Sequence, residues 1–240
     1  MSNLKNQVAI VTGGGSGIGL AIARAALSEG MRVIIAGRSS EKLDRAIEEI
    51  KAGLPNDREI IALPTDVSVA SHVTSMVRQT ADLWGRIDLL VNNAGIGQWG
   101  AIEALSEADW DRIQAINLKG AFLCIQAVLP VMKRQRSGYV VNISSLAGKM
   151  GMAGAAAYSA SKFGMIGLTE SLLSEGAAHH IRATAICPGY VATPMVAEAS
   201  VPPEEMIPAE DIGKLVVGLL HLSPVTVIKE VVVQRIGAID

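Results

Sequence analysis

Short apolar runs alternate with longer, helix-patterned stretches along most of this chain, and that alternation leaves few folds open. Val8–Val11 precedes a helical pattern at Ile18–Leu27, Val33–Ile35 precedes Glu41–Lys51, and Ile60–Leu63 precedes Val69–Leu83. Leu89–Val91 is followed by two helical stretches, near Glu107–Ala115 and Leu118–Lys133, and Tyr139–Ile143 by a long one, Ala156–Ala178. Ile181–Ile186, Asp211–His221 and Val231–Val233 close the series. Strands separated by helices run parallel, and right-handed crossovers place the helices over the sheet. The expected fold is α/β, a doubly wound Rossmann-type parallel sheet of about seven strands with helices on both faces. A sheet covered on both faces also accounts for a chain that is 50% hydrophobic.

No linker or charge block divides the 240 residues, so residues 1–240 are expected to form a single domain. Ser40, Ser68 and Ser106 stand where helix caps belong. The 194–208 segment holds Pro194, Pro202, Pro203 and Pro208 beside Met195, Val196 and Met206. Proline excludes a long helix there, leaving an apolar flap over a substrate pocket or a plain surface loop.

A net charge of −2 and an aromatic content of 3% give neither the basic stripe nor the stacking rings of a nucleic-acid binder. No uninterrupted apolar run approaches the roughly 18–20 residues that cross a bilayer, so no membrane association is expected. Cys124 and Cys187 are isolated, and His72, His179, His180 and His221 have no partner motif, so neither a disulfide framework nor a catalytic metal is expected. The chain reads as soluble and cytoplasmic.

Thr12-Gly13-Gly14-Gly15-Ser16-Gly17-Ile18-Gly19 lies between a strand and a helix. Glycines there let the backbone approach a pyrophosphate, which the helix N-terminus attracts with unpaired N–H groups. Leu20 follows Gly19, where a P-loop would need lysine. The residue that reads the adenosine ribose belongs just past the second strand, at Gly37-Arg38-Ser39, where no carboxylate stands. Arg38 can fork onto a 2′-phosphate, which favours NADP(H), with NAD(H) as the alternative. The bland reading is that Arg38 only stacks or pairs with Glu41.

Tyr158 and Lys162 are four residues apart, so a helix puts them on one face. A lysine ammonium beside a phenol favours the phenolate and lowers its pKa from the free value of about 10. Ser145 and Tyr158 offer two hydroxyl donors to an oxygen that gains charge. Asn117, amid Ala115, Ile116 and Leu118, is a polar residue where a helix would not choose one. Trp99 and Gln98 either wall a substrate pocket or pack at its rim, and Met150, Met152 and Ala153 either line an apolar slot or simply pack.

From about Gln7 to Pro194 the chain resembles the short-chain dehydrogenase/reductase family. The resemblance rests on Thr12–Gly19, Asp66-Val67, Asn92-Asn93-Ala94-Gly95, Asn117, Ser145, Tyr158 with Lys162, and Pro188-Gly189 followed by Thr193. It implies that Tyr158 is the proton donor to a ketone or the base for an alcohol, that Ser145 binds the substrate oxygen, and that Lys162 binds the nicotinamide ribose and depresses the Tyr158 pKa. Asn117 would hold a water linking Lys162 to solvent. Gly13, Ser16, Gly17, Ile18 and Gly19 would hold the pyrophosphate. Asp66 and Val67 would meet the adenine, and Asn93, Ala94 and Gly95 its ribose. Pro188, Gly189, Val191 and Thr193 would receive the nicotinamide.

The expected activity is hydride transfer between NADP(H) and a ketone or secondary alcohol, with a 3-oxoacyl thioester or a small-molecule carbonyl as substrate. An NAD-dependent alcohol or polyol dehydrogenase is one alternative, and a non-catalytic dinucleotide sensor or scaffold is another. An epimerase or dehydratase of the longer related group would carry more chain beyond Pro194. The stretches near Leu118–Lys133 and Ala156–Ala178 resemble the family's dimer-forming helices, so a homodimer or homotetramer is expected. The tail Gln234–Asp240 lacks the paired glycines common in the family, which leaves one tetramer contact unsupported.

Overall fold

Near-continuous Val, Ile, Leu and Ala runs give strands that can be buried on both faces, and they assemble into one parallel sheet. A computed structural model gives the structure, described here over residues 4–197 and 200–238. Met1–Asn3, Glu198 and Ala199 of the 194–208 segment, and Ile239-Asp240 of the tail lie outside the described residues.

The strands are β1 (Val8–Thr12), β2 (Arg32–Gly37), β3 (Ile60–Pro64), β4 (Leu89–Asn92), β5 (Gly138–Ile143), β6 (Ile181–Pro188) and β7 (Glu230–Val233). Their order across the sheet is β3-β2-β1-β4-β5-β6-β7. The chain winds outward from β1 to β3, then returns to the other side of β1, so a topological switch lies between β1 and β4. Ligands of open α/β sheets bind outside the strand carboxyl ends at such a switch.

Alternate strand residues face opposite sides. Ala9, Val11, Val33, Ile35, Leu89 and Val91 join one core with α1 (Gly17–Ser28), α2 (Ser40–Lys51) and α7 (Ala209–His221). Ile10, Ile34, Leu90 and Val140 join the other with α3 (Ala70–Trp84), α5 (Gly120–Gln135) and α6 (Ala156–Gly176).

The structure departs from the sequence reading in places. The two helices expected near residues 107–133 are one continuous helix, because α4 (Glu107–Gln114) and α5 are joined by a π-helical turn, Ala115–Lys119. The joined helix Glu107–Gln135 spans 29 residues and, by length and composition, is apolar enough to cross a membrane. The contrary expectation rested on uninterrupted apolar runs. This helix packs on α3, β4 and β5, and 44% of its most apolar window is buried inside the protein.

Helix α2 is capped by Ser39, whose hydroxyl accepts from the Lys42 N–H at 3.2 Å, while Ser40 is already helical. Ser68 does not cap α3, because its hydroxyl donates to Asp66 Oδ1 at 2.6 Å instead. Ser106 caps α4 as expected, accepting from the Asp109 N–H at 3.1 Å. The prolines of the 194–208 segment permit only short 3-10 turns at Pro194–Val196 and Pro203–Glu205.

Candidate active site

The glycine turn is held by polar groups from the far side of the switch. Thr12, buried at the end of β1, donates to the Val91 carbonyl at 3.2 Å and accepts from the Asn93 and Ala94 N–H groups at 3.1 Å. The Asn93 amide donates to the Thr12 and Gly13 carbonyls at 3.0 and 3.2 Å. This bonding fixes the turn, and it uses the Asn93 side chain as a brace. Gly19 is required where the turn closes: a Cβ there would overlap the Gly13 carbonyl oxygen and the Asn93 amide.

The start of α1 is open to an anion. Ser16 is exposed, its hydroxyl caps no backbone group, and the first turn carries no acid. Thr193 lies against Gly17, so the segment after β6 meets the glycine turn. Beside the turn is a cavity of about 150 Å³ whose lining includes Gly13, Arg38, Asp66, Val67, Ala94 and Gly95. Gly37, Thr65, Ile96 and Ile116 complete it; none of these four was among the expected cofactor-binding residues. Arg38 is exposed and makes no ion pair among the described residues, because Glu41 pairs with Arg45 at 3.6 Å. Asp66 is held below its usual carboxyl range mainly by the Ser68 hydroxyl, with the Arg38 charge contributing. The open helix terminus, the cavity and the unpaired guanidinium together fit a dinucleotide.

Four further polar residues were expected to act together, and one of them, Asn117, lies against Gly95 of the cavity lining. Ser145 follows β5 and starts the 3-10 turn Leu146–Gly148, where its hydroxyl accepts from the Ala147 N–H at 3.1 Å. Tyr158 and Lys162 stand one turn apart on α6, with Nζ 5.5 Å from the Tyr158 ring centroid. Lys162 is buried and donates to the Ile143 carbonyl at 2.8 Å, and Ser144 donates to the Lys162 carbonyl at 2.9 Å. Burial lowers the Lys162 pKa to about 8.

The expected depression of the Tyr158 pKa does not dominate. Burial pushes the phenol up, and the hydrogen bond with Ser145 opposes that only in part. The physical reason is desolvation: a phenolate walled by protein loses its hydration.

Asn117 sits in the π turn with its side chain fully engaged. Its Oδ1 accepts from the Ile96 N–H at 2.9 Å, and its Nδ2 donates to the Ile96 carbonyl at 2.9 Å and to Ser161 Oγ at 3.1 Å. The asparagine therefore ties the loop after β4 to α6, and its amide has no hydrogen left for a water. Val191 is buried in the core and bridges Ile207, so its side chain faces away from the cleft. Gly189 donates to the Val233 carbonyl at 2.8 Å, holding the end of β6 to β7.

A buried ladder that the sequence reading missed braces these elements. Asn92 donates to Asn142 Oδ1 at 2.8 Å, and Asn142 donates to Thr169 Oγ1 at 2.8 Å, linking β4, β5 and α6. An asparagine inside the otherwise apolar Tyr139–Ile143 run was the available signal.

A buried tyrosine and lysine on α6 with a serine at the end of β5 are a carbonyl-handling arrangement, and comparison with known proteins agrees. The family model described as short chain dehydrogenase matches residues 7–203. A 3-oxoacyl-acyl-carrier-protein reductase of Synechocystis sp. is 40% identical over 204 residues, 85% of this chain and 81% of that protein. A subunit of a hydroxy(phenyl)methyl-succinyl-CoA dehydrogenase of Thauera aromatica is also 40% identical, over 80% of this chain and 76% of that protein. The crystal structure of a metagenomic short-chain oxidoreductase in complex with NADP is 36% identical, with a TM-score of 0.85, covering 98% of this chain and 99% of that one. The chain belongs to the short-chain dehydrogenase family of NAD(P)-dependent oxidoreductases.

Proposed function

We propose that this chain transfers a hydride between NADP(H) and a ketone or secondary alcohol, using Tyr158, Ser145, Lys162 and Asn117. The observation that carries this reading is the Tyr158–Lys162 pair on α6, with Ser145 hydrogen-bonded to Tyr158, in a chain whose glycine-turn cavity includes the unpaired Arg38. The NADP complex of the metagenomic relative supports the cofactor. Arg38 would take the 2′-phosphate, with NAD(H) as the weaker alternative. Ser16, Gly17, Ile18 and Gly19 would receive the pyrophosphate. Pro188, Gly189, Thr193 and the Val191 backbone would flank the nicotinamide, which supplies the hydride when bound.

The Ser145 and Tyr158 hydroxyls then donate to the substrate oxygen as it becomes negative. Tyr158 passes its proton to that oxygen, and burial, by keeping the phenol protonated, readies it for reduction. Lys162 holds positive charge beside the tyrosine. Asn117 acts by position, keeping the Ile96 loop and α6 in register. A 3-oxoacyl thioester and a small-molecule carbonyl both remain within this reading; the two relatives of equal identity are named for an acyl-carrier-protein and a CoA substrate. The assembled residues speak against a non-catalytic sensor, which would need neither Tyr158 nor Lys162.

In this reading the chain is one catalytic domain with residues 194–208 as a substrate flap. The Val191–Ile207 bridge closes its base, and Arg235 ties Glu205 to the tail at 2.8 Å. An apolar groove of about 510 Å³ between α5 and α6, flanked by exposed Phe122, supports a homodimer through those helices. Val232 and Ile236 at the β7 edge offer a second contact for a tetramer. Buried, unpaired Cys124 and Cys187 accord with a cytoplasmic enzyme. Tyr158→Phe tests the assignment: NADPH should still quench protein fluorescence while ketone turnover disappears. Retained turnover would remove Tyr158 as proton donor.

A further inference from the structure

Beside Tyr158 stands a large side chain that the proton-transfer chemistry does not use. The Trp99 ring meets the Tyr158 ring edge-on, with centroids 5.3 Å apart and planes at 62°. Tyr158 is 9% exposed, whereas Trp99 is 56% exposed, so one side of the indole covers the tyrosine and much of the rest faces outward. The local backbone sets this position. A Cβ on Gly97 would lie 3.0 Å from the indole, so glycine there lets the ring lie across its own loop without being pushed aside. The Gly100 N–H donates to the Gly154 carbonyl at 2.9 Å, joining the Trp99 loop to the segment that leads into Tyr158.

The neighbouring loops repeat the chemistry. Met150 and Met152, between Ser145 and Tyr158, are exposed, as are Tyr190 and Met195 beyond the end of β6. A buried core needs none of these side chains on the outside, and with Trp99 they stand on the three loops that follow β4, β5 and β6. Charge is scarce in the same loops. Residues 93–106, 144–157 and 188–208 contain a single cation, Lys149, and it is paired with Glu230 at 2.9 Å. Arg112, adjacent on α4, is bonded to Gln98 at 3.1 Å and to Asp109 at 3.3 Å. A phosphate or carboxylate arm would find no free cation on these loops among the described residues, whereas a flat apolar group finds an indole and two thioethers.

We propose that Trp99, with Met150 and Met152, forms an aromatic clamp beside Tyr158 that selects neutral ketones bearing an aryl group next to the carbonyl over substrates carried on phosphorylated arms. This rests on the reductase reading above and narrows its substrate. Trp99 sets specificity: its exposed face stacks on the substrate ring while its edge steadies the Tyr158 phenol.

The test compares kcat/KM for propiophenone, 2-pentanone and acetoacetyl-CoA under NADPH, in wild type, Trp99→Ala and Trp99→Phe. Wild type should prefer propiophenone. Trp99→Ala should lower the propiophenone to 2-pentanone ratio by roughly three- to tenfold, mostly through KM, and Trp99→Phe should restore much of it. A role confined to packing Tyr158 would lower both ketones equally through kcat, leave the ratio unchanged and overturn the clamp. Wild-type preference for acetoacetyl-CoA would overturn it as well. Wild type that binds NADPH but reduces none of the three would refute the reductase reading, a result distinguishable from failure of the clamp alone.

Discussion

Replacing Asn117 by alanine separates a positioning role from a purely chemical one. The substitution deletes three hydrogen bonds, two with the Ile96 backbone and one with Ser161, and leaves a space at a fully buried position. Stranding a buried polar group costs about 1–3 kcal/mol, and here the Ile96 N–H and carbonyl both lose their partner. Ile96 itself is only partly buried, so water can replace part of what is lost. Ser161 still donates to the Tyr158 carbonyl at 2.7 Å. The sum is about 2–4 kcal/mol, a large share of an ordinary domain's margin of about 5–15 kcal/mol. For a chain of this size each kcal/mol moves the melting temperature by about 2–4 °C, so Tm should fall by roughly 5–15 °C. Thermal denaturation followed by circular dichroism reads that shift, and kcat measured well below Tm should also fall, since the Ile96 loop is no longer tied to the helix carrying Tyr158. A variant whose Tm stays within about 2 °C of wild type while kcat collapses would refute the brace and return Asn117 to a water-holding role.

Arg38→Asp should reverse the ratio of kcat/KM for NADPH over NADH, because a carboxylate repels a 2′-phosphate and accepts from a 2′-hydroxyl; an unchanged ratio would remove Arg38 from phosphate recognition. Lys162 titrates near 8 when folded, against 10.5 for the free group, so between those values the unfolded chain holds more protons and stability at this site rises with pH. The excess stability of Lys162→Met over wild type in urea unfolding should therefore be largest near neutral pH and shrink towards pH 10; a gap independent of pH would show that the ammonium is not buried as described.

Legibility in the sequence followed the range of the interactions. The strands and most helices were readable because apolar periodicity is local, and β1 through β6 begin and end within two residues of their expected places. Gly13, Arg38, Asp66, Val67, Ala94 and Gly95 do line one cavity, since each sits at a strand end in the expected order. What stayed hidden depends on contacts between distant segments. Apolar periodicity gave no sign that the 107–135 stretch is continuous, because a π turn shifts the helical phase and mimics a break. Nor did Asn93 or Asn117 disclose their side-chain partners, which lie 80 and 21 residues away in the chain. The Tyr158 pKa went the other way because burial, which no residue spacing encodes, outweighed the Ser145 hydrogen bond.

The π turn also bears on which sequence changes this chain can tolerate. One residue added to or removed from an α-helix rotates everything beyond it by about 100°. Ahead of the turn, Gln114 reaches the Ala157 carbonyl at 2.9 Å; beyond it, Cys124 and Val128 face the sheet while Phe122 looks outward. Deleting a single residue within 115–119 would leave a good helix by every local measure, yet swing α5 out of mesh with α4. Cys124 would leave the core and Phe122 would lose its outward face. The helix thus works as two gears on one shaft, and a one-residue deletion should prove more damaging here than most substitutions.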